Sequence, residues 1–471
     1  MRSASVKSKA FMQDGYRLDP TIHLSEGVAA RRQLTSLPFE LSTVGQNAER
    51  VFIGNIFSRV FVQKPEYGVP YLAASDTVLS NLNTGRFLSK KQAAELSYLM
   101  LEKDWILITC SGTLGNVTFT DASFEGHIAT HDLIRVVPSS NKVNKYTLFA
   151  FLASKYGYFQ LTQNRFGGVV KHINDEQAKS IIVPVFPSSL QDAIKDLIIE
   201  TTTLRESAKR IQSQAWDLFL QESQIDEIGI DEYDYYGPSI PERKVSCYSL
   251  SIKDISTISI NAFNHSERIR NLKNRISSHV ETKPLVECLD SPGLFSTGSF
   301  PRVEVAPGNG IELINQRDIF DSIVKGKYIS RRGVKTTNLL RKDEVIIAGV
   351  GTLAESESFC RCVYGNSYLA GKLISGEFIR MKTNSNVPSG YLFLWLSSEY
   401  GFRLIRNTQA GTKLCRPIPK LLEQIPIPIL SKERMNAIDQ LVKESQEMLA
   451  KASFKELEAI AMIEREIDKW N

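Results

Sequence analysis

The chain has 471 residues, of which 42% are hydrophobic and 23% are charged. A chain of this length usually forms more than one domain, and this composition is typical of folded proteins rather than of disordered or low-complexity ones. Its longest apolar runs, such as Tyr391–Leu396, are too short to cross a bilayer, and the first residues contain no apolar signal segment. We therefore expect a soluble, cytoplasmic, multi-domain protein.

The charge and the cysteines narrow the expected class further. Six cysteines are scattered without a CxxC pair, so the sequence predicts neither a disulfide framework nor a structural zinc site. The formal net charge is +5; residues 251–430 contain 24 basic and 16 acidic side chains, whereas residues 189–250 contain 6 and 12. Basic blocks that alternate with acidic ones indicate two places that could meet a polyanion.

A long internal duplication, with a period near 244 residues, organises the chain. The segments with which the two copies begin also correspond: Tyr16–Pro20 (YRLDP) matches Ile258–Ala262 (ISINA). The sequence therefore predicts two related domains, at residues 14–188 and 251–430, after a lead of residues 1–13. The further matched segments, which keep their order, are Gly68–Asp76 with Gly310–Asp318, Gly85–Ser89 with Gly326–Ser330, Leu101–Leu114 with Leu340–Leu353, Leu133–Val136 with Phe378–Met381, Leu152–Gly157 with Leu396–Gly401, and Ile182–Val185 with Pro426–Ile429.

Both kinds of secondary structure are predicted within each copy. Short β-rich runs such as Trp105–Thr109 and Glu344–Ala348, bounded by Gly and Asp, indicate strands. Tyr146–Phe159 and Tyr391–Leu404 show apolar residues at helical spacing. We therefore expect an α/β fold in the broad sense, a mixed α+β domain that occurs twice.

A helical segment with coiled-coil spacing follows each copy, at residues 189–223 and 431–471. Apolar residues recur there at steps of four and three, which is the a/d seam of a coiled coil. Each helix could pack on its own domain, but a narrow seam suits one partner helix better, so the sequence favours pairing of the two helices. An acidic connector, residues 224–250, follows the first helix. The predicted interface residues are Leu190, Ile194, Leu197, Leu204, Ile211, Leu218, Ile438, Leu441 and Met448.

No motif of a catalytic site is convincing. The glycines of Gly349-x-Gly351 follow a strand-like run and could pass for a dinucleotide-binding fingerprint. However, the other copy reads CSGTLG at this place, and no helix-forming run of suitable length follows either segment. His127 and His131 are four residues apart, yet no third metal ligand is evident. The chain also contains no Pro-Pro dipeptide, which the base-cradling motif of amino-methyltransferases requires. We expect neither an enzymatic activity nor a metal site in this chain.

Matched basic loops remain as the best candidates for a function. Asn164–Ile173 and Asn407–Ile418 combine glycine with basic residues, and a dibasic pair follows GRFLS and GKYIS in the two copies. Lys and Arg contact phosphates and can also read guanine edges in the major groove. Any one of these residues could belong to a solvated loop, but their recurrence favours a binding surface. The candidate DNA-binding residues are Lys90, Lys91, Arg165, Lys171, His172, Arg331, Arg332, Lys335, Arg406, Lys413 and Arg416.

The order of these features, repeated with a helix after each copy, resembles the specificity subunit of type I restriction-modification enzymes. The resemblance rests on Tyr16–Pro20, on the LxKxD-strand-GTL block of both copies, on the GxxxKHI and GTKxxR loops, and on Val183–Leu197. It implies two target recognition domains, each of which reads one part of a bipartite double-stranded DNA target, separated by an antiparallel pair of coiled-coil spacer helices. Because Gly167–His172 and Gly411–Arg416 differ in sequence, we expect the target to be asymmetric.

The resemblance also implies that catalysis belongs to partner subunits. Two methyltransferase subunits would transfer the methyl group and a restriction/translocase subunit would cleave, so S-adenosylmethionine and ATP are expected on those partners and no cofactor is expected here. No membrane partner is expected. A stand-alone DNA-binding regulator and a catalytic subunit with an unrecognised site remain open alternatives. Met435, where the first copy has Gln191, leaves open which restriction or methylation-linked defence system the subunit serves.

Overall fold

The computed structural model describes residues 24–62, 64–111, 114–163, 172–229, 232–236, 247–354 and 357–470, together with Ser8 and Met12. The chain divides into two compact units, Met1–Glu206 with Ala452–Asn471, and Ser207–Lys451. Each unit contains one sequence copy, and each combines helices with strands, so the predicted mixed α+β fold class is confirmed.

In the described part of the first copy, a short helix comes first and ten strands follow before the first long helix starts. Among its described residues, the strands form an antiparallel four-stranded sheet of order β2-β9-β6-β7, a second sheet of order β3-β5-β4-β8, and a β1-β10 pair. The elements are α1 (Glu26–Thr35), β1 (Leu41–Thr43), β2 (Ala48–Ile53), β3 (Phe61–Val62), β4 (Gly68–Leu72), β5 (Phe87–Ser89), α2 (Lys90–Glu95), β6 (Ile106–Thr109), β7 (Val117–Phe119), β8 (Ile128–Ala129), β9 (Leu133–Pro138), α3 (Lys145–Ala153), α4 (Lys155–Gln163), α5 (Asp175–Lys179), β10 (Ile182–Pro184) and α6 (Ser188–Ser223).

The second copy repeats this arrangement. Its described strands form a four-stranded sheet of order β12-β18-β15-β16, a sheet of order β14-β13-β17, and the pairs β11-β21 and β19-β20. The elements are α7 (Tyr233–Tyr236), α8 (Glu267–Ser277), β11 (Thr282–Pro284), β12 (Phe295–Ser296), β13 (Ile311–Ile314), β14 (Lys327–Ile329), β15 (Val345–Ala348), β16 (Cys362–Tyr364), β17 (Leu373–Ile374), β18 (Phe378–Met381), α9 (Ser389–Ser397), α10 (Glu399–Asn407), β19 (Gln409–Ala410), β20 (Arg416–Pro417), α11 (Pro419–Leu422), β21 (Pro426–Pro428) and α12 (Lys432–Asp468).

The strand register matches the sequence duplication residue by residue. Leu107 of β6 lies opposite Arg135 of β9, and Ile346 of β15 lies opposite Arg380 of β18. A parallel pair also recurs, β4 with β8 and β13 with β17. The two copies therefore share one topology as well as one sequence pattern.

Each predicted helix after the central strands is in fact two helices joined by a serine. Ser154 separates α3 from α4, and Ser398 separates α9 from α10, both in extended backbone conformation. The Ser398 hydroxyl accepts a hydrogen bond from the Gly401 amide and caps α10. A Cβ atom at Gly401 would lie 2.4 Å from the Trp395 carbonyl oxygen, so the close approach of the two helices requires glycine here. The repeated LASKYG and LSSEYG segments encode this corner.

Both faces of each four-stranded sheet are buried. In the first unit Ile106 and Ile108 point into one hydrophobic cluster with α3, while Leu107 points into another. In the second unit Val345 and Ile346 alternate in the same way. Period-two alternation sends successive side chains to opposite faces, which explains why these strands read as continuous apolar runs.

In the first unit, the beginning of α6 packs on the end of α12. The Thr201 hydroxyl approaches the Ala452 carbonyl oxygen at 3.4 Å, and Glu200 forms an ion pair with Lys455 at 2.8 Å. Phe39 contacts both Phe186, just before α6, and Trp470, just after α12. The two helices are therefore antiparallel in this unit.

In the second unit, the end of α6 lies beside the beginning of α12. The buried Ser445 hydroxyl donates to the Ala208 carbonyl oxygen at 2.8 Å, and Arg434 pairs with Glu222 at 3.2 Å. Each helix also contributes to the hydrophobic core of a copy. Packing on a domain and pairing with the other helix, which the sequence presents as alternatives, therefore occur together. Of the expected interface residues, Ile194, Ile211 and Ile438 are buried, and Leu190, Leu197, Leu204, Leu218, Leu441 and Met448 are half-buried.

Other global features concern the thiols, membranes and metals. All six cysteines lie in the described part of the chain and are free thiols. None of the helices assigned to the described residues combines the length and the apolarity needed to cross a membrane. The same residues bring together no group of three His, Cys, Asp or Glu side chains that could hold a metal ion.

Candidate nucleic-acid interface

One edge of the four-stranded sheet gathers loops in each unit, and we call it the loop edge. Because the strands are antiparallel, the end of β2, the start of β9 and the end of β6 meet there. In the first unit the loop edge comprises residues 54–60, 110–111 and 130–132. The Cys110 amide donates to the Asp132 carbonyl oxygen at 3.3 Å, and Gly54 packs against His131.

The equivalent loop edge of the second unit comprises residues 297–303, 349–354 and 375–377. The Thr297 hydroxyl donates to the Ser375 carbonyl oxygen at 3.1 Å. The Gly349 amide donates to the Glu377 carbonyl oxygen at 3.0 Å. The same three loops therefore lie side by side in both units.

The basic loops near the end of each copy join this edge. In the first unit the Ile173 amide donates to the Cys110 carbonyl oxygen at 3.1 Å. The half-buried His172 forms an isolated antiparallel β-bridge with Ser111. In the second unit Cys415 and Gly351 exchange backbone hydrogen bonds of 2.7 and 3.1 Å. Two features that were separate in the sequence, the GTL blocks and the basic loops, thus meet in space.

A hairpin presents basic residues at the second loop edge. It is formed by β19 and β20, and the side chains of Lys413 and Arg416 are exposed, with Leu414 between them 65% exposed. Gly411 has a φ of +111°, and a Cβ there would lie 2.6 Å from the Leu414 carbonyl oxygen. The tight hairpin therefore depends on glycine. Arg165 and Lys171, the corresponding candidates of the first copy, lie outside the described residues.

Arg406 is placed differently from the other candidates. Its side chain is only 2% exposed, and its guanidinium donates to the Leu353 and Ala354 carbonyl oxygens at 2.8 and 2.7 Å. It also lies over the Phe402 ring at 4.0 Å. In this conformation Arg406 holds the loop 349–354 in place from inside the fold, so we keep it as a support of the loop edge and not as a DNA contact.

The dibasic pairs are exposed on turns next to the loop edge. Lys90 and Lys91 lie in the first turn of α2 and are exposed. The Ser89 hydroxyl caps this helix by accepting a hydrogen bond from the Gln92 amide at 3.3 Å. In the second unit, the exposed Arg331, Arg332 and Lys335 precede a turn that begins at Thr336. Exposed cations on ordered turns are suited to phosphate contacts.

A further repeat, which sequence reasoning missed, connects these pairs to the loop edge. Phe57–Val60 reads FSRV and Phe300–Val303 reads FPRV, and we call them the FxRV loops. The Val60 carbonyl oxygen accepts from the Ser89 amide at 2.9 Å, and the Val303 carbonyl oxygen accepts from the Ser330 amide at 2.8 Å. Each FxRV loop therefore lies beside the residue that precedes its dibasic pair. The signal was a match at three of four residues, at a spacing close to that of the duplication.

The arginines of the FxRV loops share one local geometry. Arg59 lies over the Phe57 ring at 5.9 Å and Arg302 over the Phe300 ring at 5.7 Å. Arg59 is further fixed by donating to the Tyr71 hydroxyl at 2.6 Å. The exposed Arg302 could reach a nucleic acid directly, whereas Arg59 is already engaged.

Two completely buried arginines hold the backbone of turns that lead into or out of the sheets. Arg135 donates to the carbonyl oxygens of Ala129, Thr130 and Leu133 at 2.8 to 3.0 Å. Burial lowers the pKa of Arg135 to about 10. Arg380, its equivalent, donates to the Leu339 carbonyl oxygen at 2.7 Å. A repeated arginine inside an apolar strand was the sequence signal for these supports, and it was not recognised.

The comparison with protein families gives one match. Residues 50–211 match the family described as the type I restriction modification DNA specificity domain. This stretch runs from β2 into α6, so it contains the first FxRV loop, the Lys90-Lys91 pair and the first loop edge. No curated protein matches the chain.

Several solved structures are similar at low sequence identity. The S subunit of a type I restriction-modification system from M. genitalium is 11% identical, with 92% of this chain and 93% of that chain covered and a TM-score of 0.32. The HsdS subunit from Thermoanaerobacter tengcongensis is 13% identical, with 92% and 97% covered and a TM-score of 0.27. The type IIG restriction endonuclease BpuSI is 11% identical over 36% of this chain and 28% of its own, with a TM-score of 0.29.

The family indicated by the sequence resemblance is thus confirmed by the domain match. The match covers residues 50–211, and it is this part of the chain that resembles the type I restriction modification DNA specificity domain.

Proposed function

We propose that this chain is the DNA-recognition subunit of a type I restriction-modification complex or of a related methylation-linked defence complex. Each unit would read one part of a bipartite target in double-stranded DNA. The observation that carries the proposal is the recurrence of the loop edge in both units, each with exposed basic residues beside an FxRV loop. Basic side chains would position the protein on phosphates, and the loops between them would read base edges.

The target is expected to be asymmetric because the two loop edges differ chemically. Gly54 is followed by Asn55 and Ile56 before its FxRV loop, whereas only Ser299 separates Gly298 from the second FxRV loop. The dibasic pair is Lys-Lys in the first unit and Arg-Arg in the second. Arginine forms bidentate contacts that lysine does not, so equivalent positions would favour different bases.

The paired long helices would dock partner subunits. Ile199, Phe454 and Leu457 are apolar residues of the helices that are 37 to 49% exposed in the first unit. Exposed apolar side chains on a helix surface support a protein interface there. Methyl transfer by two methyltransferase subunits and cleavage by a restriction/translocase subunit would then use S-adenosylmethionine and ATP bound to those partners. Such a complex acts on DNA in the cytoplasm.

Methylome sequencing of a host with and without this chain tests the proposal. We expect a bipartite, asymmetric methylated motif to disappear when the chain is removed, and a methyltransferase to co-purify with it. Loss of a palindromic motif would contradict the asymmetric target. An unchanged methylome and the absence of a co-purifying methyltransferase would instead favour the alternative, a stand-alone DNA-binding regulator.

A further inference from the structure

Ile56 is the most exposed apolar side chain at the first loop edge. It is 86% exposed and lies directly before the FxRV loop, in which Val60 is 54% exposed. Single exposed aliphatic residues are common on protein surfaces, so exposure alone indicates nothing. The surroundings of Ile56 decide its significance.

The loop that carries Ile56 is held on both sides. The Asn55 amide donates to the Tyr98 hydroxyl at 3.3 Å, and the Val60 amide donates to the Gln92 side-chain oxygen at 2.9 Å. The Gln92 side-chain nitrogen donates to the Ser58 carbonyl oxygen at 2.6 Å. Ile56 is therefore presented at a fixed position, which reduces the entropy lost when it contacts a partner.

The same hydrogen bonds join the loop that carries Ile56 to a helix turn with two cations. Gln92, which anchors the loop, belongs to the first turn of α2 and follows Lys90 and Lys91 directly. Both lysines are exposed. A loop that presents an apolar side chain and is anchored to a turn with two exposed lysines is suited to a surface that presents phosphates and apolar groups together. The major groove of DNA presents both, through the backbone and the thymine methyl group.

The second unit has no equivalent of Ile56. Its Gly298 is followed by Ser299 alone before the FxRV loop, so the second loop is one residue shorter. The contact of the loop with the residue before the dibasic pair recurs in both units, because the Val60 carbonyl accepts from Ser89 and the Val303 carbonyl from Ser330. The two loops thus have the same backbone contact but present different side chains. A side chain that differs at such a shared position is expected to determine which DNA sequence is bound.

We propose that Ile56 reads a thymine by contacting its 5-methyl group in the major groove, in the half-target of the first unit. The inference rests on the proposed function. Removal of one methyl contact is expected to weaken binding about fourfold, which corresponds to about 0.8 kcal/mol for a buried methylene-sized group.

The test uses the purified full chain and a library of random-sequence DNA duplexes. Duplexes that the chain enriches define its target, and each thymine in the target is then replaced singly by deoxyuridine, which lacks only the 5-methyl group. The wild-type chain should bind about fourfold more weakly when one particular thymine is replaced. Ile56→Ala should bind the unmodified target about as weakly and should be indifferent to deoxyuridine at that position.

A matched control and a folding check accompany this variant. Ile252 is 84% exposed and is not one of the residues that form the first loop edge, so Ile252→Ala should keep the wild-type preference for thymine. Because Ile56 is exposed, its replacement should leave the thermal unfolding midpoint unchanged.

The outcomes separate the inference from the proposed function. If no sequence is enriched, the proposed function fails. If a target is enriched but Ile56→Ala shows the same response to deoxyuridine as the wild type, or the wild type shows none, only the reading role of Ile56 is overturned. Loss of a co-purifying protein from Ile56→Ala with unchanged DNA binding would overturn that role in favour of a protein contact.

Discussion

Arg380 and Glu344 form an ion pair of 2.8 Å in which both side chains are buried, 0% and 2% exposed. In the first unit Arg135 occupies the position of Arg380, but Trp105 stands where Glu344 would be. Arg135 instead donates to three backbone carbonyl groups and lies over the Phe52 ring at 5.8 Å. The same buried cation is therefore paired with a carboxylate in the second copy, whereas in the first copy it contacts backbone carbonyl groups and an aromatic ring.

Replacement of Glu344 by glutamine should destabilise the chain strongly. The change leaves the Arg380 charge buried without an anion, which typically costs about 3 to 5 kcal/mol. Urea denaturation measures this loss in free energy of unfolding. Asp290→Asn is the control, because its ion pair with Lys382 is exposed and should contribute at most about 1 kcal/mol. Equal losses in the two variants would contradict a special role for the buried pair.

The carboxyl of Asp321 should make stability depend on pH. Burial raises the pKa of Asp321 to about 6, against the partly opposing effect of Arg317, whose guanidinium donates to it at 2.9 Å. The folded state therefore binds the proton more readily than the unfolded chain. This contribution to stability is full below pH about 4 and is lost as the pH rises through about 6.

Asp321→Asn removes this titration. Between pH about 4 and pH about 7, its stability relative to the wild type should increase by at most about 3 kcal/mol, since one pKa unit corresponds to about 1.4 kcal/mol. Urea denaturation at several pH values measures the difference. Ser322→Ala, at the next residue, introduces no change in titration and should differ from the wild type by a constant amount. A constant difference for Asp321→Asn as well would show that Asp321 does not titrate in this range.

The basic turn of the second unit should contribute to DNA affinity through phosphates. Combined alanine replacement of Arg331, Arg332 and Lys335 should weaken binding to all sequences and reduce the salt dependence by about 0.9 for each lost contact. Binding titrations of the full chain at several salt concentrations measure both quantities. The control replaces three exposed lysines elsewhere and should leave both unchanged; these are Lys253, Lys432 and Lys451. Unaltered affinity and salt slope in the first variant would place the turn off the DNA.

Much of the fold could be predicted because its signals are local. The strands near Trp105–Thr109 and Glu344–Ala348 and the two long helices follow from apolar periodicity within short windows. The corners at Ser154 and Ser398 were missed, because the apolar spacing continues across them and only the close packing at the following glycine interrupts the helix.

The candidate site was harder to predict because it depends on tertiary contacts. The sequence identified Lys413 and Arg406 as equal candidates for DNA binding, but in the structure Lys413 is exposed and Arg406 is buried. This difference depends on which elements pack against each side chain, and the sequence does not reveal that packing. The FxRV loops are too short to stand out without the knowledge that each lies beside a dibasic pair. Repetition identified the elements, and the structure shows which of them are neighbours.

Arg406 and Lys413 should therefore fail in different ways when each is replaced by alanine. Arg406→Ala removes the donor to the Leu353 and Ala354 carbonyl oxygens, so it should displace the loop 349–354 and lower both the unfolding midpoint and the DNA affinity. Its salt slope should stay at the wild-type value, because no phosphate contact is lost.

Lys413→Ala should give the opposite pattern, since its exposed side chain supports no backbone group that we observe. The unfolding midpoint should be unchanged, while the DNA affinity falls and the salt slope decreases by about 0.9. Thermal unfolding together with salt-dependent binding of both variants distinguishes the two roles. A reduced salt slope for Arg406→Ala with a normal unfolding midpoint would show that Arg406 turns outward to contact a phosphate, and the division between supporting and contacting residues at this loop edge would then have to be redrawn.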